Sequence, residues 1–181
     1  MKKKIRVNKI HLFSVLTLAI LIMIFLLKFN DYFCYNMTNS MPKGIYLLKG
    51  KKNYQKGDIV LICPDLKNYV LNQGLERGYI DLNSSKECTT DKLIKIILAK
   101  ENDLITINKN GMYLNDKLIN LSVKKYDKKG RKMNIFYVTN YVLKKGEYFV
   151  YTPQEFSFDS RYFGLINEKD IIQKIDKFIT F

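Results

Sequence analysis

Residues 105–121 read ITINKNGMYLNDKLINL, and their pattern decides the fold class. Short runs of β-branched and aromatic residues are cut by Asn110-Gly111 and again by Asn115-Asp116. Asn, Asp and Gly tolerate the positive φ that a tight hairpin turn needs, so ITI and MYL read as strands paired around the first turn. Outward from this hairpin the same pattern recurs. GIYLL (44–48) and GDIVLIC (57–63) precede it with a Lys-rich turn between them, followed by KIILA and DLITI. IFYVT and YFVYT lie beyond it. Runs this short, rich in Ile, Val, Tyr and Phe, suit strands better than helices. Only residues 66–78 and the tail 167–178 carry a helical reading, and the tail reads equally well as a strand preceded by a turn. The expectation is one mainly β domain.

The N-terminal end differs in kind. Residues 10–27 hold eighteen consecutive positions without Asp, Glu, Lys or Arg, near the lower limit for a helix that spans a bilayer. The run ends in Ile-Phe-Leu-Leu-Lys, with no small-residue cleavage site, so it reads as an uncleaved anchor and not as a removed signal peptide. Lys2, Lys3, Lys4, Arg6 and Lys9 precede the span, and Lys28 alone follows it closely. The excess of cations on the short side places the N-terminus in the cytoplasm. The chain then divides into a cytoplasmic stub (1–9), a transmembrane anchor (10–27) and an exported domain (28–181). The expectation is a single-pass protein of the cell (inner) membrane whose domain faces the periplasm or cell exterior. The net charge is +14, and five of those charges sit in the stub. The other lysines are scattered as in KGKK and DKKGRK, which suits solvated loops and gives no reason to expect a nucleic-acid partner.

Several chemistries are excluded by what the exported part lacks. The sole histidine, His11, stands at the cytoplasmic edge of the span, so a Ser-His-Asp or Cys-His hydrolase has no base there. Cys34, Cys63 and Cys88 form no CxxC pair, which leaves no metal site and no cofactor to expect. Outside the cytoplasm a Cys63–Cys88 disulfide is allowed, with two buried free thiols as the alternative and Cys34 left over. A base acting near neutral pH must then be a carboxylate, a tyrosine or a lysine. Burial disfavours the charged form of lysine, and a neutral lysine beside a serine is a complete nucleophile–base pair.

SMPKGIY (40–46) resembles the serine box of type I signal peptidases, family S26, and more closely that of the TraF-type branch that matures conjugative pilin. KGDIVLIC (56–63) is similar to the family's Gly-Asp-hydrophobic strand, and ERGYIDLNSSKEC (76–88) to the Arg-Gly-Tyr and cysteine loop of the TraF-type branch. LIKIILAKEND (93–103) resembles the lysine box, with Ile96 where Arg is usual and with Ala99 and Asn102 where Gly is common. SFDSRYFG (157–164) resembles the closing box, preceded here by Tyr151-Thr152-Pro153. The resemblance implies a signal-peptidase-like, mainly β ectodomain carried on an N-terminal transmembrane helix.

It also implies the roles. Ser40 would be the nucleophile and Lys95 the general base, with Thr38 and the Ser40 N–H stabilising the oxyanion. Ser157 would orient the lysine, and Asp159 and Arg161 would support the site as an ion pair. Lys92 competes with Lys95 for the part of base. Lys92, though, sits in a polar turn, whereas Lys95 alternates with Ile94 and Ile96 in an apolar strand, where an unpaired lysine is costly unless it is functional. Met41, Pro42 and the strand starting at Ile45 would receive the extended substrate by strand addition. The expected activity is a serine endopeptidase that removes leader peptides from exported precursors. Its expected partners are a pilin-like precursor with a membrane-spanning leader, the lipid bilayer and a conjugation or secretion complex. Transfer of the acyl group to an amine of the same substrate, giving a cyclic product, is open as well as hydrolysis. Two alternatives stand beside this reading: a general type I signal peptidase, and a catalytically silent scaffold of a secretion or conjugation channel.

Overall fold

The computed structural model describes residues 9–50, 53–63, 65–83 and 88–181, and the side chains of residues 9, 10, 27 and 30 lie outside that description. Most of the stub expected at 1–9 therefore falls outside the described residues. A long helix α1 (Lys9–Tyr32) leads into β1 (Phe33–Asn36), β2 (Gly44–Leu48), β3 (Ile59–Ile62) and a short helix α2 (Tyr69–Glu76). Then come β4 (Leu93–Ala99), β5 (Leu104–Asn108), β6 (Gly111–Leu114), β7 (Lys117–Ile119), β8 (Val138–Val142) and β9 (Glu147–Tyr151). A one-turn helix α3 (Ser160–Phe163), β10 (Ile166–Asn167) and the long β11 (Ile171–Thr180) complete the chain.

Among the described residues the strands form two antiparallel sheets. One has the order β1-β2-β11-β3-β4-β9-β10, and the other the order β7-β6-β5-β8. The mainly β expectation holds. The hairpin that suggested it pairs Ile107 with Met112 and Asn108 with Gly111, so its two-residue turn is Lys109-Asn110, one position earlier than the Asn-Gly pair implied. Asn115 and Asp116 take φ of 49° and 62°, the two consecutive positive values of a tight hairpin turn. IFYVT is only partly strand, because β8 begins at Val138. The preceding Phe136 instead donates its N–H to Arg161 O and lays its ring against Gly164.

The tail resolves as strand, not helix. β11 runs between β2 and β3 and pairs with both, so it joins the N-terminal hairpin to the rest of the sheet. The pairing of its C-terminal end with β2 depends on Gly44, whose φ is +138° and where a Cβ would lie 2.1 Å from Ile179 O. Only glycine permits that approach. Of the helical readings, 66–78 contains α2, capped by Asn68, whose side chain accepts from Val70 N and Leu71 N.

Three apolar clusters fill the domain. Val60, Ile62, Ile97 and Val150 of the large sheet pack with Leu71 of α2 and Phe163 of α3. Ile105, Ile107 and Met112 of the second sheet pack with Phe149 of β9. Met41, Tyr46, Leu61, Ile94 and Ile175 form a third cluster beneath the loop between β1 and β2. The helix α1 stands apart from all three, touching the domain through a run of rings from Phe25 through Phe29 and Phe33 to Phe178. Among the described residues no helix is long and apolar enough to cross a membrane. The span expected at 10–27 has both of its end side chains outside the description, which covers 11–26 without a break.

Candidate active site

The loop between β1 and β2 carries Thr38 and Ser40. Its ends are clamped by strand pairing, Asn36 opposite Gly44. Its interior is organised by the Asn36 side chain, which is 4% exposed. The amide Nδ2 donates to the carbonyl oxygens of Thr38 (3.1 Å), Met41 (2.9 Å) and Pro42 (3.1 Å). The Oδ1 accepts from Thr38 N at 3.0 Å and from Thr38 Oγ1 at 2.8 Å. Thr38 Oγ1 in turn lies 2.9 Å from Ser40 Oγ. Tyr46 Oη donates to Pro42 O at 2.7 Å and closes the loop from below.

Lys95 comes from the middle of β4, opposite Val60 of β3. It is 3% exposed. Its Nζ donates to Ser157 Oγ at 3.0 Å, and among the described residues it forms no ion pair. Burial lowers its pKa from 10.5 to about 8; the Asp159 carboxylate opposes this shift and the Arg161 guanidinium adds to it. Ser157 is itself buried, on the loop between β9 and α3.

That loop is held by an ion pair with no exposure on either side chain, Arg161 with Asp159. Arg161 Nε donates to Asp159 Oδ1 at 2.8 Å and its Nη2 to Oδ2 at 2.7 Å, a two-pronged contact. Two of the three remaining guanidinium hydrogens go to backbone carbonyls, Ser122 O at 2.8 Å and Gln154 O at 2.9 Å. Asp159 also caps α3 through Arg161 N and accepts from Thr152 N at 3.1 Å. The pair therefore fixes the backbone that presents Ser157 to Lys95.

Ser40, Thr38, Lys95 and Ser157 all line one cleft of about 980 Å³. Ser40 and Lys95 both line this space, but each hydroxyl or amine is bonded elsewhere, Ser40 Oγ to Thr38 Oγ1 and Lys95 Nζ to Ser157 Oγ. Lys92 lines the same cleft from its rim, half-buried. Cys63 and Cys88 are joined, with their Cα atoms 5.7 Å apart, and the bridge ties the end of β3 to the segment before β4. Cys34 is free and half-buried, and burial raises its pKa.

The residues expected to receive substrate are placed otherwise. Met41 is buried in the third apolar cluster, and neither it, Pro42 nor Ile45 lines the cleft. Strand addition at Ile45 is not available, because Ile45 already pairs with Tyr35 on one side and with Ile179 on the other. The open edge at this end of the sheet belongs to β1, whose Phe33, Cys34 and Tyr35 do line the cleft. Asn36 is the site residue that sequence reasoning missed. An Asn two positions before a Thr at a strand end is an ordinary turn signal, and only the folded loop reveals how many groups it holds.

A family model described as signal peptidase, peptidase S26, matches residues 5–179. The chain belongs to the S26 signal peptidase family. Two Escherichia coli proteins, each named plasmid transfer protein TraF, are similar to it. One is 33% identical over 147 residues, covering 80% of this chain and 81% of its own. The other is 32% identical over 149 residues, with the same two coverages, 80% and 81%. A solved signal peptidase I from Enterococcus faecalis superposes with a TM-score of 0.39 at 16% identity, over 68% of this chain and 97% of that one. S26 membership makes the chain a peptidase by family.

Proposed function

We propose that this S26 member is a membrane-anchored serine endopeptidase in which Ser40 is the nucleophile and Lys95 the general base. The observation that carries the reading is Lys95: a buried lysine that forms no ion pair among the described residues, its pKa lowered to about 8, in the same cleft as a serine. A lysine in that environment is a base with a substantial neutral fraction near physiological pH. Its hydrogen bond to Ser157 Oγ uses one N–H and leaves the nitrogen lone pair of the neutral amine for the proton of Ser40.

Substrate entry closes the remaining gap, since catalytic hydrogen bonds are often long before substrate arrives. Ser40 Oγ–H gives its proton to neutral Lys95 Nζ as the Oγ bonds the scissile carbonyl carbon. The resulting oxyanion is met by the Ser40 N–H and the Thr38 hydroxyl. The Lys95 ammonium then protonates the leaving amine as the C–N bond breaks, leaving an acyl group on Ser40. Water adds to that ester, its proton passes to Lys95, and the acid departs as Ser40 regains its hydrogen. An extended precursor lying along the open edge of β1 would present its carbonyl at the loop that follows that strand.

The substrate class we propose is an exported precursor with a membrane-spanning leader, a pilin-like conjugation subunit; the similarity to proteins named for plasmid transfer supports the narrower choice over a general signal peptidase. Residues 10–27 would anchor the enzyme, with 1–9 in the cytoplasm and 28–181 exported. Leu12, Phe13, Leu16 and Leu21 are all exposed on α1, an apolar surface that lipid would cover. The test is cleavage of a pilin-like precursor with a membrane-spanning leader by full-length protein in liposomes. Wild type and Lys92→Ala are expected to cleave; Ser40→Ala and Lys95→Ala are not. Cleavage by Ser40→Ala would overturn the mechanism, and an inactive wild type on both that precursor and secretory precursors would favour the scaffold.

A further inference from the structure

We propose, on the footing of the serine-peptidase reading above, that Asn36 is a positioning residue of the nucleophile: it fixes the Thr38 hydroxyl so that, in the resting enzyme, Ser40 gives its proton to Thr38. The hydrogens available to the loop set the direction of each bond. Asn36 Nδ2 faces three carbonyl oxygens, and Oδ1 faces the Thr38 N–H. Turning the amide over would set an NH2 against that N–H and an oxygen against three oxygens, so its orientation is fixed by chemistry. Oδ1 carries no hydrogen, so the 2.8 Å contact with Thr38 Oγ1 is made by the single threonine hydroxyl proton.

That proton is then committed. The 2.9 Å contact between Thr38 Oγ1 and Ser40 Oγ needs a hydrogen, because two bare hydroxyl oxygens at that distance repel, and Ser40 alone can supply it. The order is therefore Ser40 to Thr38 to Asn36, pointing away from Lys95, whose own hydrogen bond goes to Ser157. Two consequences follow for the reaction. Ser40 must turn its hydroxyl off Thr38 before Lys95 can take the proton. Thr38 must release Asn36 Oδ1 before it can donate to an oxyanion, so the amide and the reacting carbonyl oxygen compete for one hydrogen. Asn36 touches neither substrate nor base in this scheme; it acts through Thr38 and through the loop carbonyls it gathers.

The experiment measures kcat, KM, the pH dependence of kcat and the melting temperature on the pilin-like precursor, with full-length protein in liposomes. The variants are Asn36→Ala, Thr38→Val, the two combined, Thr38→Ser, and Ser40→Ala as control. Asn36→Ala and Thr38→Val are each expected to lower kcat by about 10- to 100-fold, the scale of a misplaced reacting group, with KM within about threefold. The double variant should fall short of the product of the two losses by about fivefold or more, since both act on the same hydroxyl. Thr38→Ser, which keeps the hydroxyl, should lose clearly less kcat than Thr38→Val, and the alkaline-rising limb set by Lys95 should not move in any active variant.

Multiplicative losses in the double variant, or an Asn36→Ala kcat equal to wild type, would overturn the inference while leaving the peptidase intact. If Asn36→Ala does not fold, Thr38 decides: a Thr38→Val kcat equal to wild type, or a Thr38→Ser loss as large as that of Thr38→Val, overturns it. Cleavage by Ser40→Ala, or none by wild type, would overturn the peptidase reading itself and the inference with it.

Discussion

Replacing Lys95 by Met should make the protein more stable near neutral pH, and by an amount that vanishes as pH rises. The folded pKa of Lys95 is lowered from 10.5 to about 8 by burial. Below about pH 8 the lysine is protonated in both the folded and unfolded chain, and folding must bury a charge. A lowering of this size corresponds to about 3 kcal/mol of lost stability there. Between pH 8 and 10.5 the unfolded chain binds more protons than the folded one, so wild-type stability rises with pH across that window. Above it the lysine is neutral in both states and the penalty is gone. Methionine has a similar volume and no charge, but it forfeits the hydrogen bond to Ser157 Oγ, about 1 kcal/mol. The expected gain for Lys95→Met is thus about 2 kcal/mol at pH 7, shrinking to zero or a small loss by pH 10.5. Urea denaturation of full-length wild type and variant across that range, with unchanged m values, reads the difference directly. A Lys95→Met protein less stable than wild type at pH 7, or a difference that does not change with pH, would refute the buried-charge argument.

The other predictions concern the frame around the site. Asp159→Ala leaves the Arg161 guanidinium buried without its carboxylate and should cost about 3–5 kcal/mol in a denaturant titration, with loss of cleavage. Gly44→Ala forces a Cβ to within 2.1 Å of Ile179 O at a φ that alanine rarely adopts, and should destabilise by about 3 kcal/mol. Hydrogen exchange in that variant should rise first across β2 and β11, which meet at Gly44, before the β5–β6 hairpin is affected.

How much of this was legible in the sequence depends on which force set each element. The β5–β6–β7 meander was readable because local turn chemistry decides it: Asn115 and Asp116 accept the positive φ their neighbours would resist. Residues 167–178 stayed ambiguous for a physical reason. β11 shifts register between Ile171 and Gln173 against β3, and between Lys177 and Ile179 against β2. Each irregularity inserts a residue and breaks the two-residue alternation that marks a strand, so IIQKIDKFI took on a helical spacing. Its place between two other strands is a tertiary fact that no local window contains.

The candidate site shows the same division. Lys95 stood out because a lysine amid isoleucines contradicts its surroundings, and the structure buries it. Met41 and Ile45 adjoin Ser40 in the chain but do not line its cleft, because proximity along the chain is not proximity in the cleft. Met41 points into the core, and β2 has a strand on each side. Asn36 gave no sign, since its importance lies in five hydrogen bonds that exist only once the loop has closed around it.

The central claim, a serine activated by a buried lysine that is neutral in part at physiological pH, is tested most directly by the pH dependence of kcat/KM for the wild-type enzyme on its precursor. That ratio reports the free enzyme, in which Lys95 titrates at about 8. A single limb rising with pH and centred at about 8 is the result expected. A limb near the ordinary lysine value of about 10.4, or a profile with no limb between pH 7 and 9, would contradict it.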